Sequence, residues 1–380
     1  MSAALVAGFD AIVIGAGPAG SMAARDLARS GARVALVDGS HPREKPCGGG
    51  VTGRALALLG ADLHGGAIAN AVSFETAGRE SFVRLDGQDC LRVFSREHFD
   101  AALLRQAIEA GAELVPARAT DMKRARGGWR IRAGARTLEA AWLLGADGAG
   151  GIVRKQVFRP FERRQLSIAA GSYVDDVCTR EIAIAFVDRP SGYLWSFPRA
   201  GHLAAGTCAQ ADATSTREMH AITVAWLDTY PPAAGRTRRR YAWPIPSLSA
   251  ADFDRERPCG DGWMLLGDAA GLVDPITREG IFFALRSGQL AARALRSSTP
   301  ADYAQQVREE LHGELRRAAR LKAGFYRPRF TRLLIDALNQ SAAVRGVMID
   351  LVAGRQPYAG LKRRLLGTLE LGLMVRLVIG

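Results

Sequence analysis

The chain has 380 residues, 48% hydrophobic and 23% charged, enough for one large domain or two to three smaller ones around a sizeable core. Its net charge of +13 is uneven: Leu311 to Gly380 holds 13 Lys/Arg against 4 Asp/Glu, which predicts either a basic surface that draws phosphate, anionic lipid or nucleic acid, or a solvated arginine-rich helical face. Five scattered cysteines without a CxxC pair, and six histidines without paired spacing, argue against a disulfide framework, an iron–sulfur cluster and a zinc site, so no metal and a reducing, cytoplasmic setting are expected.

The opening stretch "MSAALVAGFDAIVIG" has no Lys or Arg ahead of its apolar run, unlike a secretory signal. No apolar run reaches the roughly 18 residues of a membrane span. Ala11 to Ile14 reads as a buried strand, and Gly15, Gly17 and Gly20 form GxGxxG at its end. Ala19 to Ser30 has helical composition, with Gly31 placed to stop it. Arg33 to Val37 reads as a second strand, closed by Asp38. Gly15 permits the tight turn, Gly17 lets backbone N–H groups approach a pyrophosphate, and Gly20 lets helix and strand pack closely. The helix N-terminus then faces the anion. Asp38 is suited to accept ribose hydroxyls and to repel a 2′-phosphate, which argues against NADP at this site.

"KPCGGGV", Lys45 to Val51, follows. No partner cysteine or ligand cluster lies near it, so it is a glycine turn or the floor of an active site. Ala71 to Leu85 reads as two short strands, and Leu166 to Gln210 as four more separated by polar or Gly/Pro breaks. Trp142 to Lys155 gives an apolar strand ending in Asp147-Gly148. Gly262 to Leu295 gives another ending in Gly267-Asp268, then Pro275 and a long helix opening near Glu279-Gly280-Ile281. A carboxylate at a strand end, just before a helix N-terminus, suits ribityl or ribose hydroxyls and leaves the helix end free for a flavin edge or a phosphate. Three such elements in one chain favour FAD over NAD. Ser215 and Glu218 fit a capping box for a helix to Tyr230. Beyond Ser297 the chain reads as helices. Leu361, Leu365, Leu369, Leu373 and Leu377 recur every four residues beside Lys362, Arg363 and Arg364, either as a helix packed on the body or as an interfacial helix at a membrane surface.

In the order and spacing of GxGxxG, Asp147-Gly148 and Gly267-Asp268, the chain resembles the FAD-dependent family of group A flavin monooxygenases and geranylgeranyl reductases. Arg96, ahead of a helix in "VFSREHFDAALLRQAIEAGAEL", matches the arginine that helps hold FAD there. Together these cover most of the first 300 residues. The resemblance implies an α/β fold: a Rossmann-like FAD-binding domain of the glutathione-reductase/PHBH type, a β-sheet substrate domain and a C-terminal helical region. The expected division is 1–70, 95–158 and 258–296 for FAD, 71–94 and 159–257 for substrate, and 297–380 for the helices. FAD contacts are implied at Gly15, Gly17, Ala19, Gly20, Asp38, Cys47, Gly48, Gly49, Arg96, Asp147, Gly267, Asp268, Gly280 and Ile281.

Within that family "SGYLWSFPRAGHLAAGTC" resembles the YxWxFP…GxG pattern of geranylgeranyl reductases, which also carry a CGG run where "KPCGGG" lies. Cys208 replaces the second glycine of that pattern, and Arg278 stands where the family usually has glycine. The branch implies reduction of C=C bonds in a prenyl or other apolar substrate by hydride from reduced flavin. Cys47, Tyr193 and Trp195 would be catalytic, and Phe197, Pro198 and Arg278 would line the substrate pocket. Glycines beside the flavin would let the backbone approach closely, with Cys47 a proton donor or positioning group. Arg278 has two readings: inward, toward reduced flavin or an acidic substrate group, or outward without a role. NADPH, NADH or a small redox protein would supply electrons transiently, since no second GxGxxG is present. The alternatives are a monooxygenase acting on an aromatic or polyketide-like substrate, and an electron-transfer flavoprotein docking through its basic end. The expected partners are an apolar small molecule and a membrane surface met peripherally, with no nucleic acid.

Overall fold

The computed structural model describes residues 7–60, 63–85, 91–297 and 299–368. Cys90 and the Leu369, Leu373 and Leu377 positions of the leucine pattern lie outside them. Short, continuously apolar segments pair as parallel strands when both faces are covered. Here they form the centre of the first sheet, in the order Trp263–Leu265, Arg136–Gly145, Ala7–Ile14, Val34–Val37 and Glu113–Val115. Antiparallel strands extend it at Cys259–Gly260 and at Gly128–Ala133 with Ala119–Ala125. The helix Pro18–Arg29 covers one face and packs against Ile281–Arg296. Their approach is close: a Cβ on Gly288 would stand 2.5 Å from the Ala19 carbonyl oxygen.

The register positions the site. Ile14 is level with Val37 and with Gly145, and Gly145 is level with Leu265. The glycine loop, Asp38, Asp147 and Asp268 therefore all leave the carboxyl edge of one sheet, where open α/β sheets bind their ligands.

The second sheet has seven strands, in the order Arg238–Pro246, Leu166–Asp175, His202–Gln210, Gly192–Arg199, Glu181–Val187, Ala71–Thr76 and Arg79–Arg84. All pairs are antiparallel except Glu181–Val187 with Ala71–Thr76. The strand Arg238–Pro246 is absent from the sequence-based expectation. Its two prolines, Pro244 and Pro246, remove ladder donors, and the strand lies at the sheet edge where that loss is tolerated. A small third sheet joins Gly50–Val51, Leu91–Val93 and Ala67–Ala69. At Ser215 the side chain accepts the Glu218 N–H at 3.1 Å, as expected of a cap, but the Glu218 carboxylate bonds the Thr214 hydroxyl, so the reciprocal half of the box is missing.

The C-terminal region forms helices at Gly313–Phe325, Pro328–Gln340, Ala342–Val352 and Leu361–Leu366. Leu334, Ile335 and Leu338 bury against Val72, Phe74 and Ile182 of the second sheet. Leu361 packs against the cluster of Ile276, Ala318 and Tyr358, whereas Leu366 is 54% exposed. Among the described residues no helix is long and apolar enough to cross a membrane.

Candidate active site

Two adjoining cavities lie beyond the sheet edge. The first, of about 390 Å³, is walled by the glycine loop, Asp38, His41, Arg96, Asp147 and Asp268. Its glycines have separate tasks. A Cβ on Gly15, at φ +104°, would meet the Ala146 carbonyl oxygen at 2.4 Å, and one on Gly20 would meet the Gly15 oxygen at 1.8 Å. A Cβ on Gly17 would meet only His41 Nε2, at 3.7 Å, so space remains where a pyrophosphate belongs. Gly20 and Gly267 wall neither cavity; they are the tight contacts beneath, Gly267 against Ala19 and Ala284. Ala19 lines the first cavity directly.

Both long helices that point at this region begin without a side-chain cap, at Gly17 and at Gly280. Their first backbone N–H groups are thus available to an anion or to a flavin edge. Asp147 Oδ2 accepts the Val153 N–H at 3.0 Å, while its Oδ1 is buried without a partner. Burial raises the pKa of this carboxyl despite its backbone hydrogen bonds. The orphaned oxygen, the open Gly17 face and the uncapped helices fit an FAD.

Asp38 is more occupied than the sequence suggests. Its Oδ2 accepts from the Ala16 N–H and meets His41 Nδ1, each at 2.8 Å, and its Oδ1 accepts from Ser40 and from the His41 N–H. Burial opposes ionisation, but the His41 contact and the backbone donors hold this carboxyl far below the ordinary range. His41 Nε2 lies 3.4 Å from Asp100, which in turn takes two hydrogen bonds from Arg96 at 2.9 and 3.0 Å. Burial works against a charged imidazole, yet Asp100 and Asp38 prevail and raise its pKa. His41 is a residue that sequence reasoning missed; its partners Asp38 and Asp100 give no signal until the fold joins them. Arg96 is almost wholly buried and walls both cavities. Asp100 and Cys47 keep its pKa above the ordinary value against the effect of burial.

The second cavity, of about 270 Å³, is mainly apolar. Alternation along Gly192–Arg199 puts Tyr193, Trp195 and Phe197 on its wall and turns Pro198 away. Pro198 therefore does not line the cavity, because Tyr193, Trp195 and Phe197 hold the inward face and Pro198 falls on the other. Cys208 and Ile184 complete the sheet side. Phe325, Tyr326, Met348, Leu351, Val352 and Tyr358 close the opposite side. This wall comes from the C-terminal helical region, whose own residues carry no mark of the site.

Cys47, Gly48, Gly49, Gly280 and Ile281 wall this second cavity and not the first. The three glycines also make close contacts within the protein. Cβ atoms on Gly48 and Gly50 would stand 3.0 Å from the Phe197 ring, and one on Gly49, at φ +80°, 2.2 Å from the Phe94 oxygen. The loop is thus seated on Phe197. Arg199 fastens it: the side chain is fully buried, pairs with Glu44 and donates to the carbonyl oxygens of Cys47 and Gly48. Cys47 Sγ accepts the Gly49 N–H at 3.3 Å. Arg199 directly follows the YLWSFP run and was not singled out in the sequence.

Lys45, Pro18, Arg96, Trp243, Asp268 and Ala284 wall both cavities, so the two lie side by side. Lys45 Nζ lies 3.3 Å from Asp268. Tyr193 stacks on Tyr326 with ring centroids 6.2 Å apart. Burial, with Cys208 and Tyr326 adding to it, raises the Tyr193 pKa well above the ordinary value, so the phenol stays neutral. Arg278 turns inward, at a left-handed φ of +60°, and lines the apolar cavity. Among the described residues no cluster of His, Cys, Asp and Glu could hold a metal ion.

The family model described as an FAD binding domain matches residues 9–298. A geranylgeranyl diphosphate reductase of Rhodobacter capsulatus is 29% identical over 93% of this chain and 95% of its own length. A digeranylgeranylglycerophospholipid reductase of Methanothrix thermoacetophila is 29% identical over 87% of this chain and 90% of its own. Among solved structures, a geranylgeranyl bacteriochlorophyll reductase-like protein from Thermoplasma acidophilum superposes with a TM-score of 0.78 at 22% identity, covering 96% of this chain and 100% of that one.

Proposed function

This chain belongs to the FAD-binding domain family, and on that premise we propose that, as an FAD-dependent oxidoreductase, it reduces C=C bonds in a prenyl or similarly apolar chain. The observation that carries this reading is the mainly apolar cavity that shares its wall with the dinucleotide cradle and is lined by Tyr193, Trp195 and Phe197. Relatives of nearly the same length are named for prenyl-chain reductases. Bound FAD, once reduced, supplies hydride to one carbon of a double bond. Gly15, Gly17, Arg96, Asp147 and Asp268 hold that cofactor. Tyr193, Trp195 and Phe197 orient the chain, and the helices carrying Tyr326, Met348 and Leu351 exclude water from it. Cys47 delivers the proton to the second carbon, and Arg199 fixes the loop that aims it. The reductant is NADPH, NADH or a small redox protein that binds transiently. Lys362 and Arg363, exposed at the C-terminal end, bring the protein to anionic membrane surfaces where apolar substrates reside.

Anaerobic mixing of the dithionite-reduced holoenzyme with geranylgeranyl diphosphate tests the reaction. Flavin reoxidation without oxygen, together with a product heavier by two hydrogens per bond, is expected. An oxygen-dependent product bearing one added oxygen atom would overturn it in favour of a monooxygenase. For the membrane contact, Lys362→Glu with Arg363→Glu should lower co-sedimentation with phosphatidylserine vesicles; unchanged binding refutes it.

A further inference from the structure

We propose that Arg278 is the recognition point for an anionic group on the substrate, a phosphate or a carboxylate, inside the mainly apolar cavity. This rests on the reading of that cavity as the substrate site. The backbone at Arg278 has φ +60°, a conformation that non-glycine residues rarely adopt and that is retained where the side chain has a task. The side chain lines the cavity. One nitrogen donates to the Pro275 carbonyl oxygen, and Nε is buried without a partner. Among the described residues no carboxylate forms an ion pair with it. The two nearest in sequence are committed elsewhere: Asp274 Oδ1 accepts the Ile276 and Thr277 N–H groups at 2.7 and 3.1 Å, and Glu279 pairs with Arg54 and takes the Thr52 hydroxyl at 2.9 Å.

The other polar groups facing Arg278 are Tyr193, Tyr326 and Cys208, none of which carries a fixed negative charge. Lys322, close by, has its pKa lowered to about 7 by burial and by the Arg278 charge. The guanidinium is therefore a half-buried cation with Nε unpartnered and, among the described residues, no carboxylate paired with it, an arrangement that favours a ligand supplying the counter-charge. A guanidinium fork matches the planar carboxylate and the tetrahedral phosphate alike.

The test uses holoenzyme and two tails, each with a charged and a neutral head: geranylgeranyl diphosphate against geranylgeraniol, and hexadecyl phosphate against hexadecanol. Binding is read from the perturbation of flavin absorbance. The wild type should prefer the charged head on both tails by roughly 10- to 100-fold, the range of one or two hydrogen bonds to a charged group. Arg278→Met should abolish the preference and Arg278→Lys should recover part of it. Arg278→Gly, which relieves the left-handed backbone, should keep the thermal midpoint while losing the preference. A preference that survives in Arg278→Met overturns the assignment. So does a wild type indifferent to the head, or a variant in which only the flavin midpoint potential moves, since that places the counter-charge on reduced flavin. Charged-head selectivity without anaerobic reduction of the prenyl chain would sink the reductase reading and leave the Arg278 assignment standing.

Discussion

Arg199→Met removes the fork that fastens the cysteine–glycine loop while keeping an aliphatic stem of similar reach. The wild-type guanidinium is fully buried and spans Glu44 and the carbonyl oxygens of Cys47 and Gly48. Its loss strands a carboxylate and two carbonyls. Breaking a buried ion pair from one side costs about 3–5 kcal/mol. Glu44 retains 17% side-chain exposure and keeps its bonds from Ser95 and the Arg96 N–H, which sets the cost near the lower end, about 3 kcal/mol. An unfolding entropy of about 2.1 cal/mol/K per residue over 380 residues gives roughly 0.8 kcal/mol/K, so the midpoint should fall by about 4 °C. The deficit should also depend on pH. Burial favours the protonated Glu44, but Arg199 outweighs it and lowers the pKa below 4.5. The stabilisation is complete above pH 4.5 and vanishes as pH falls through the lowered value. Differential scanning calorimetry at pH 7 and pH 4 reads both effects. A midpoint within about 1 °C of wild type at pH 7, or a deficit unchanged at pH 4, would refute the reasoning.

Gly20→Ala places a Cβ 1.8 Å from the Gly15 oxygen; the forced separation costs at least about 3 kcal/mol, and the purified protein should lose its 450 nm flavin absorbance. Cys47→Ala should lower anaerobic turnover by about 10²- to 10⁴-fold, the usual worth of a general acid, with FAD retained; full activity would return the loop to a purely structural turn. His41→Gln probes the buried chain of charges: because Asp100 and Asp38 raise the His41 pKa above 6.5, wild-type stability is full below pH 6.5 and declines as pH rises through the raised value. Urea midpoints at pH 6 and pH 8.5 should differ more in wild type than in the variant, and equal differences would discount the network.

The cofactor half of the site was legible because its information is local. A strand, a glycine turn, a helix and an acid fall within about thirty residues, and the acids at Asp147 and Asp268 repeat the same short pattern. The aromatic wall was legible for the same reason, since alternation along one strand is a two-residue rule. That rule also shows why Pro198 faces the wrong way. What stayed hidden joins residues far apart in the chain. Lys45 meets Asp268 and Arg54 meets Glu279 across more than 220 positions, and neither end carries a mark of the other. The helices that close the apolar cavity look like any packed helices from their own sequence; only their seat on the second sheet gives Met348 and Leu351 a place. The glycines of the loop and Phe197 were each visible, but not the contact by which its ring demands Gly48 and Gly50.

The cradle has a further consequence for synthesis. Its strand ends lie at positions 14, 37, 145 and 265, side by side in one sheet. A nascent chain that has already emitted the glycine motif still lacks the last wall for 228 more residues, the interval from 37 to 265. At about 5–20 residues per second this takes roughly 11–46 s. The first βαβ unit leaves the ribosome long before it can retain a flavin, and the carboxyl end of the strand Arg136–Gly145, paired with Ala7–Ile14 on one side, must wait unpaired on the other until Trp263–Leu265 arrives. Chaperone engagement should therefore peak in that interval, and flavin loading should mark the passage of Asp268 and Gly280 out of the exit tunnel.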